Sequence, residues 1–281
     1  IIKNGLDEEA WKIKLDQMIE YSKQTIEDYK NYDDEWSKRY LMQEQDNLEI
    51  YNYLRDNNIE PLYGWEYEAY NYMTSLMQFL GAGLLVCGIA VFMSDIVSGE
   101  CTPATLKFLL VQPVTRGKVL LSKFIAVTLT VITMILGAEL IGFVFVNLTS
   151  KLGGASYPVS LGAKYNKIIN SEGTAELVKV VGSGHIGSNL ELFVKSMLFQ
   201  GLFIVATCSV VFLISTLIKS SMVTMALSVV VTVFLTIASQ LMVTIKDFAH
   251  LIFVNYADGI SILTGISALT FNNPNMTVQN G

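Results

Sequence analysis

Apolar residues are concentrated in four stretches of the chain, each long enough to cross a lipid bilayer as a helix. The intervals 69–94, 196–218 and 220–245 contain no charged residue, and the interval 124–150 contains only Glu139. A helix of about 20 apolar residues spans the roughly 30 Å of bilayer hydrocarbon. The pattern therefore predicts membrane-spanning helices over about residues 73–93, 124–148, 196–218 and 221–245.

Composition favours membrane-spanning helices over the alternative, which is a set of buried helices in a large soluble protein. Apolar residues make up 52% of the chain, charged residues make up 16%, and the mean hydropathy is +0.44. Soluble proteins carry about 25% charged residues. The predicted fold is all-α, a polytopic membrane helix bundle with four spans in this chain, and the lipid bilayer is its expected surrounding.

Charge is distributed unevenly along the chain. Residues 1–72 contain 17 acidic and 8 basic residues, whereas residues 73–281 contain 8 acidic and 11 basic residues. The net charge of −6 therefore originates in the first quarter of the chain. Because no basic stripe is present to neutralise phosphates, a nucleic-acid partner is excluded.

The acidic segment has the periodicity of two helices, and it is predicted to be a helical hairpin over residues 1–65. Apolar and aromatic residues recur there at three- and four-residue steps. Asp33 or Asp34 is placed to cap the second helix, and Pro61 closes the segment. Two roles remain open for the hairpin, a solvated spacer or a contact surface for a substrate or partner. The two stripes comprise Trp11, Leu15, Met18, Ser22, Thr25, Tyr29 and Tyr32, then Trp36, Tyr40 or Leu41, Leu48, Tyr51 and Leu54.

The positive-inside rule orients the bundle. The segment from 94 to 122, together with the adjoining ends of the helices, is dense in Lys and Arg, which predicts that it is cytoplasmic. The hairpin and the loops 150–194 and 246–281 then lie outside, within a transmembrane domain over residues 66–281. The basic residues are Lys107, Arg116, Lys118, Lys123 and Lys219.

No pattern of catalytic or metal-ligating residues accompanies the spans. Cys87 and Cys208 lie in apolar segments, and His185 and His250 are far apart in sequence, so neither a disulfide framework nor a metal site is indicated. The chain also lacks a Gly-x-x-x-x-Gly-Lys-Ser/Thr loop for phosphates. We predict no catalytic residue, no metal and no directly bound cofactor.

The cytoplasmic segment contains a short amphipathic helix. Thr102 and Pro103 suit its N-cap and first position, and Pro113 disfavours helical geometry at the residue before it. Leu106, Leu109 and Leu110 share one face. This helix either lies on lipid headgroups or docks into a groove on a cytoplasmic partner.

The order of residues in this segment resembles ABC-2 type permeases, the membrane subunits of ATP-binding-cassette transporters. The matching runs are 95–100, 105–116 and 118–123, and Ala104 departs from the Gly that is usual before Thr105. More weakly, residues 48–59 resemble the end of the external helical region of Firmicutes-like members, and residues 253–258 resemble the outer segment after the fifth membrane helix of the family. The resemblance implies that the segment is a coupling helix, with ATPase-contacting residues Glu100, Thr105, Leu106, Lys107, Phe108, Leu109, Leu110, Pro113 and Arg116.

The resemblance also implies a function. It implies an export permease in the plasma membrane that is not itself an enzyme, with ATP and Mg²⁺ bound by a partner ATP-binding subunit. A second permease copy or a paralogue would complete the assembly, and the substrate would be a peptide antibiotic, drug, lipid or ion. A six-helix protein is expected, with helices before Ile1 and after Gly281.

Two further expectations concern residues and function outside this segment. Glu139 is ionisable within a span, so it either belongs to a substrate path or is a hydrogen-bonded structural residue. The alternative function is a membrane receptor or sensor whose external hairpin binds a ligand.

Overall fold

The fold is described by a computed structural model. It describes residues 5–32, 34–62, 68–94, 115–150, 153–169, 175–218 and 220–280. Most of the predicted coupling segment lies outside these residues, including all of its predicted contact residues except Arg116.

Three long apolar helices form the frame of the bundle. They are α5 (Arg116–Thr149), α6 (Asn189–Leu217) and α7 (Ser221–Leu241). Among the described helices, these three are single helices long and apolar enough to cross a membrane, over Gly117–Thr149, Asn189–Leu217 and Ser221–Ser239. A helical membrane bundle is therefore confirmed.

The first predicted span is not a single helix. Helix α3 (Ala69–Phe79) and helix α4 (Leu85–Met93) are joined by a π-helical turn over Leu80–Leu84. Gly83 lies within this turn at a φ of 119°, which a residue with a Cβ atom rarely adopts. Glycine and an inserted π turn are recognised causes of a sharp helix bend, so the 25 uncharged residues from Ala69 to Met93 form a broken segment.

The core of the bundle lies where α4 meets α6 and α7. Helix α4 buries Val86, Ile89 and Met93, and α6 contributes Ile204 and Cys208 to the same apolar cluster. These five side chains are at most 2% exposed. Their burial holds the broken segment against the two long helices.

The acidic segment forms the predicted hairpin of α1 (Gly5–Tyr29) and α2 (Glu35–Asp56). Trp11, Leu15 and Ile19 pack against Leu54. Asp34 is the N-cap of α2, and its Oδ1 accepts hydrogen bonds from the backbone amides of Trp36 at 3.1 Å and Ser37 at 2.9 Å. Hydrogen bonds from the Ser37 hydroxyl and amide lower the pKa of the Asp34 carboxyl.

The glycine-rich loop after α5 contains two antiparallel strand pairs in addition to the helices predicted. β1 (Pro158–Leu161) pairs with β4 (His185–Ser188), and β2 (Tyr165–Ile169) pairs with β3 (Ala175–Lys179). The sheets lie against the hairpin. The Lys179 ammonium donates to the carboxylates of Asp46 and Glu49, and the Leu62 amide donates to the Tyr157 hydroxyl at 3.2 Å.

The residues after α7 are more than the loop that the sequence predicts. They form α8 (Val243–Lys246), two 3₁₀ turns (Ala249–Leu251 and Phe253–Tyr256), α9 (Gly259–Thr264) and α10 (Ile266–Thr270). Their apolar side chains join the core clusters, and the Ser239 hydroxyl of α7 donates to the Asn255 side chain at 2.8 Å. A Cβ atom at Gly81 would lie 2.7 Å from the Ala257 carbonyl oxygen, so glycine permits this close approach.

Candidate functional site

The predicted coupling segment, 94–122, begins just after α4 and extends into the first turns of α5, so its described residues adjoin two helices of the bundle. At one end, the Ser94 carbonyl, just after α4, accepts a hydrogen bond from the buried Ser215 hydroxyl of α6 at 3.2 Å. At the other end, Thr115 is the N-cap of α5, and its carbonyl accepts bonds from the amides of Lys118 and Val119. The Thr115 side chain makes no capping hydrogen bond.

The predicted contact residues of this segment can be placed only in part. Arg116 is the first residue of α5, at the end of the bundle opposite the hairpin. The others lie outside the described residues: Glu100, Thr105, Leu106, Lys107, Phe108, Leu109, Leu110 and Pro113. The ATPase contact therefore stays a prediction from sequence.

A buried polar pair joins α5 to α6. The Gln200 Nε2 of α6 donates to the Glu139 Oε1 of α5 at 2.7 Å. Glu139 is 3% exposed and Gln200 is 6% exposed, so both side chains are removed from the surface of the bundle. A hydrogen bond between apolar helices is strengthened by the low local dielectric, and here it ties two of the spanning helices together.

Both members of this pair have an oxygen that is left without a donor. Neither Glu139 Oε2 nor Gln200 Oε1 has a hydrogen-bond partner within the part of the chain that the structure describes. Each oxygen is a hydrogen-bond acceptor, and an unsatisfied buried acceptor is costly. The pair could therefore accept further N–H or O–H donors.

Glu139 also borders an apolar groove between the broken segment and α5. The groove has a volume of about 450 Å³, within the range of small-molecule sites. Among the residues that the structure describes, every one that lines the groove is apolar except Glu139, which lies at the end nearer the hairpin. The wall comprises Leu76, Leu80, Leu84, Leu85, Gly88, Ile89, Phe92, Val131, Met134, Ile135, Ala138 and Glu139.

Sequence reasoning identified Glu139 but not its partner. Glu139 is found by a search for charge because it is the only charged residue between 124 and 150. Gln200 is uncharged and lies 61 residues away in sequence. The available signal was a long amide side chain inside an apolar helix, where polar groups need a partner.

The described residues do not assemble a metal site. No three side chains of His, Cys, Asp or Glu within the described ranges come close enough together to hold a metal ion. The buried polar side chains of the described spans include the Glu139–Gln200 pair and several Ser and Thr residues.

Comparison with known proteins gives a family match. The family model described as "ABC-2 family transporter protein" matches residues 7–276, which include the hairpin, every predicted span, both strand pairs and most of the segment after α7. No curated protein and no solved structure gives a significant match.

Proposed function

The chain belongs to the ABC-2 family of transporter membrane proteins, and from this premise we propose that it is the permease of an ABC exporter driven by a separate ATPase subunit. The match over residues 7–276 is the observation that carries this proposal, because it includes the helical bundle and most of the three predicted external regions. The permease would move a peptide antibiotic, drug, lipid or ion outward across the plasma membrane. A second permease copy or a paralogue would complete the assembly.

The positions of the segment ends support a mechanical role for residues 94–122. A partner that pushes on this segment would act on α4 through Ser94 and on α5 through Thr115. The hydrogen bond from Ser215 to Ser94 would pass the same displacement to α6. Helices α4, α5 and α6 are thus all connected to this one segment. A displacement of the segment when the ATPase subunits close would therefore move all three helices.

Substitution of the apolar face of the predicted coupling helix tests the proposal. Leu109→Asp with Leu110→Asp should abolish co-purification of the ATPase subunit, because charged residues cannot replace an apolar contact in a partner groove. The measurement is the amount of ATPase that is retained by affinity-tagged permease from solubilised membranes.

Val181→Asp is the matched control for added charge. Val181 is 100% exposed in the turn before β4, at the hairpin end of the bundle, and its substitution should leave ATPase retention unchanged. Undiminished retention with the Leu109 and Leu110 substitutions, in a permease that elutes as a single size-exclusion peak, would contradict the coupling assignment.

A further inference from the structure

We propose that the groove between α4 and α5 binds an amphipathic ammonium compound, with the ammonium on Glu139 and the apolar body along the groove wall. This inference rests on the proposed transporter function, for which it names a substrate class. It is carried by the combination of one buried acid and an otherwise apolar groove.

The carboxyl group of Glu139 selects a cation that carries N–H groups. Glu139 Oε1 is already held by Gln200 at 2.7 Å, and Oε2 is buried at the groove without a donor among the described residues. Glu139 also forms no ion pair with the described Lys, Arg and His residues. An ammonium supplies both the positive charge and the donors, and both interactions are strong where water is excluded.

The remainder of the groove selects an apolar body for this cation. Apart from Glu139, the described residues that line the groove, on the broken segment at one side and on α5 at the other, are all apolar. A small hydrophilic cation would leave the apolar wall of the groove uncovered. An alkyl or aromatic body would cover this wall. The ligand is therefore amphipathic, with its charge at the hairpin end.

The depth and charge of the site favour a free amine over a phospholipid. Glu139 lies four residues before Phe143 in α5, about 6 Å further from the hairpin than the aromatic cluster of Phe143, Tyr70 and Phe193. A phospholipid amine would bring its phosphate close to the Glu139 carboxyl group, and like charges repel. An amine without a phosphate avoids this repulsion.

Binding of tritiated dodecylammonium to the full-length protein tests the proposal. The protein is held in phosphatidylcholine nanodiscs at pH 7 without nucleotide, and empty nanodiscs supply the background. We expect saturable binding that excess unlabelled dodecylammonium displaces and that dodecanol, which has the same chain without the charge, does not. Equal displacement by dodecanol would overturn the role of the charge.

Two pairs of variants locate the site. Glu139→Gln removes the charge and should raise the dissociation constant about tenfold or more, in line with the loss of a close charge pair. Glu191→Gln removes an equal charge outside the groove and should leave the dissociation constant unchanged. Gly88→Leu should also weaken binding because it fills the groove, whereas Gly137→Leu should not, because Gly137 is outside the lining.

The glycine pair keeps the proposal testable if Glu139→Gln does not fold. A Cβ atom at Gly88 or Gly137 would meet no described atom within 4 Å, so neither backbone position is closed to a side chain. Unchanged binding by Gly88→Leu, or equal weakening by both leucine variants, would overturn the groove as the site. Loss of dodecylammonium binding when phosphatidylethanolamine is added to the nanodiscs would assign the groove to a lipid instead.

Failure of this inference can be distinguished from failure of the proposed function. Binding is measured without nucleotide and does not require the ATPase subunit, so a negative result leaves ATPase co-purification untouched. Conversely, if the ATPase subunit did not bind the coupling segment, the affinity of the groove for dodecylammonium would be unchanged.

Discussion

At the scale of single residues, Lys179 shows how one side chain fixes an external sheet to the hairpin. Its ammonium donates to Asp46 and, at 3.2 Å, to Glu49, and its side chain is 23% exposed. Burial lowers the pKa of Lys179, but the hydrogen bonds and charges of the two carboxylates outweigh this effect, so the pKa is raised above 10.5. The contact therefore favours the charged form and stabilises the docked sheet.

Substitution of Lys179 should release β3 from α2. We expect Lys179→Met to lower protection of residues 175–179 against hydrogen–deuterium exchange by roughly fivefold, equivalent to about 1 kcal/mol for a partly buried ion pair. Asp46→Asn should have a similar effect, and the double variant should lose less than the sum of the two, because both remove one interaction. Additive losses would contradict a direct interaction between the two side chains.

The pH dependence of this contact follows from the direction in which the pKa of Lys179 is shifted. A raised lysine pKa means that the stabilisation is complete below pH 10.5 and declines as the pH rises through the pKa of the folded protein. The difference in protection between the parent protein and Lys179→Met should therefore shrink above pH 10.5.

At the scale of elements, the break between α3 and α4 distinguishes the first predicted span from the other three. The π turn over Leu80–Leu84 and the positive φ of Gly83 bend the segment. The bend places Gly81 against the Ala257 carbonyl, while α4 keeps its own apolar face in the core. The bent segment therefore packs on two parts of the chain, on the residues after α7 through Gly81 and on the helical core through α4.

The substitution Gly83→Ala should straighten this segment. The cost of a Cβ atom at a φ of 119° is about 1–3 kcal/mol, which favours a continuous helix. Spin labels at Ser75 and Val91, both exposed, should then show a longer distance, close to the roughly 24 Å expected for 16 residues of α-helix. The measurement is double electron–electron resonance on a background without native cysteines.

Gly88→Ala is the matched control for this substitution. Gly88 lies within α4, and a Cβ atom there meets no described atom within 4 Å, so the label distance should not change. An unchanged distance in Gly83→Ala would show that packing against the segment after α7, and not the glycine, sets the bend.

At the scale of the whole molecule, the hairpin and the sheets occupy one end of the bundle. They are joined by the Lys179 ion pairs, by the bond from Leu62 to Tyr157, and by an apolar cluster that includes Trp11 and Leu54. Regions that are bonded in this way must lie on the same side of the membrane. The predicted orientation places this side outside and the segment 94–122 inside.

Labelling with a membrane-impermeant maleimide tests this orientation. Asn31→Cys at the hairpin turn and Val181→Cys before β4 are exposed positions and should both react in intact cells. The native Cys101 of the coupling segment should react only after the membrane is permeabilised, with Cys87 and Cys208 replaced in every sample. Labelling of Cys101 in intact cells would reverse the orientation, and labelling of only one external position would contradict the docked arrangement.

Features that depend on local sequence were predictable. The long apolar stretches within α5, α6 and α7, interrupted by a single charge at Glu139, predicted helices, because backbone groups in a bilayer interior must be satisfied within the protein. A cap at Asp33 or Asp34 was predicted because such a bond is local, and the carboxyl group of Asp34 bonds to amides two and three residues away. The family resemblance was likewise visible in a short ordered segment, and the match over residues 7–276 confirms it.

By itself, then, the sequence determined the membrane class, the hairpin and the permease family, because each depends on spacing within one helix or one segment. Only the tertiary structure decided that the first span is broken, that the residues after α7 pack into the core, and that Gln200 holds Glu139. These features join residues that are distant along the chain, such as the 61 positions between Glu139 and Gln200. Helical periodicity specifies which face a residue occupies, and only the packing of the helices specifies which residue lies opposite it.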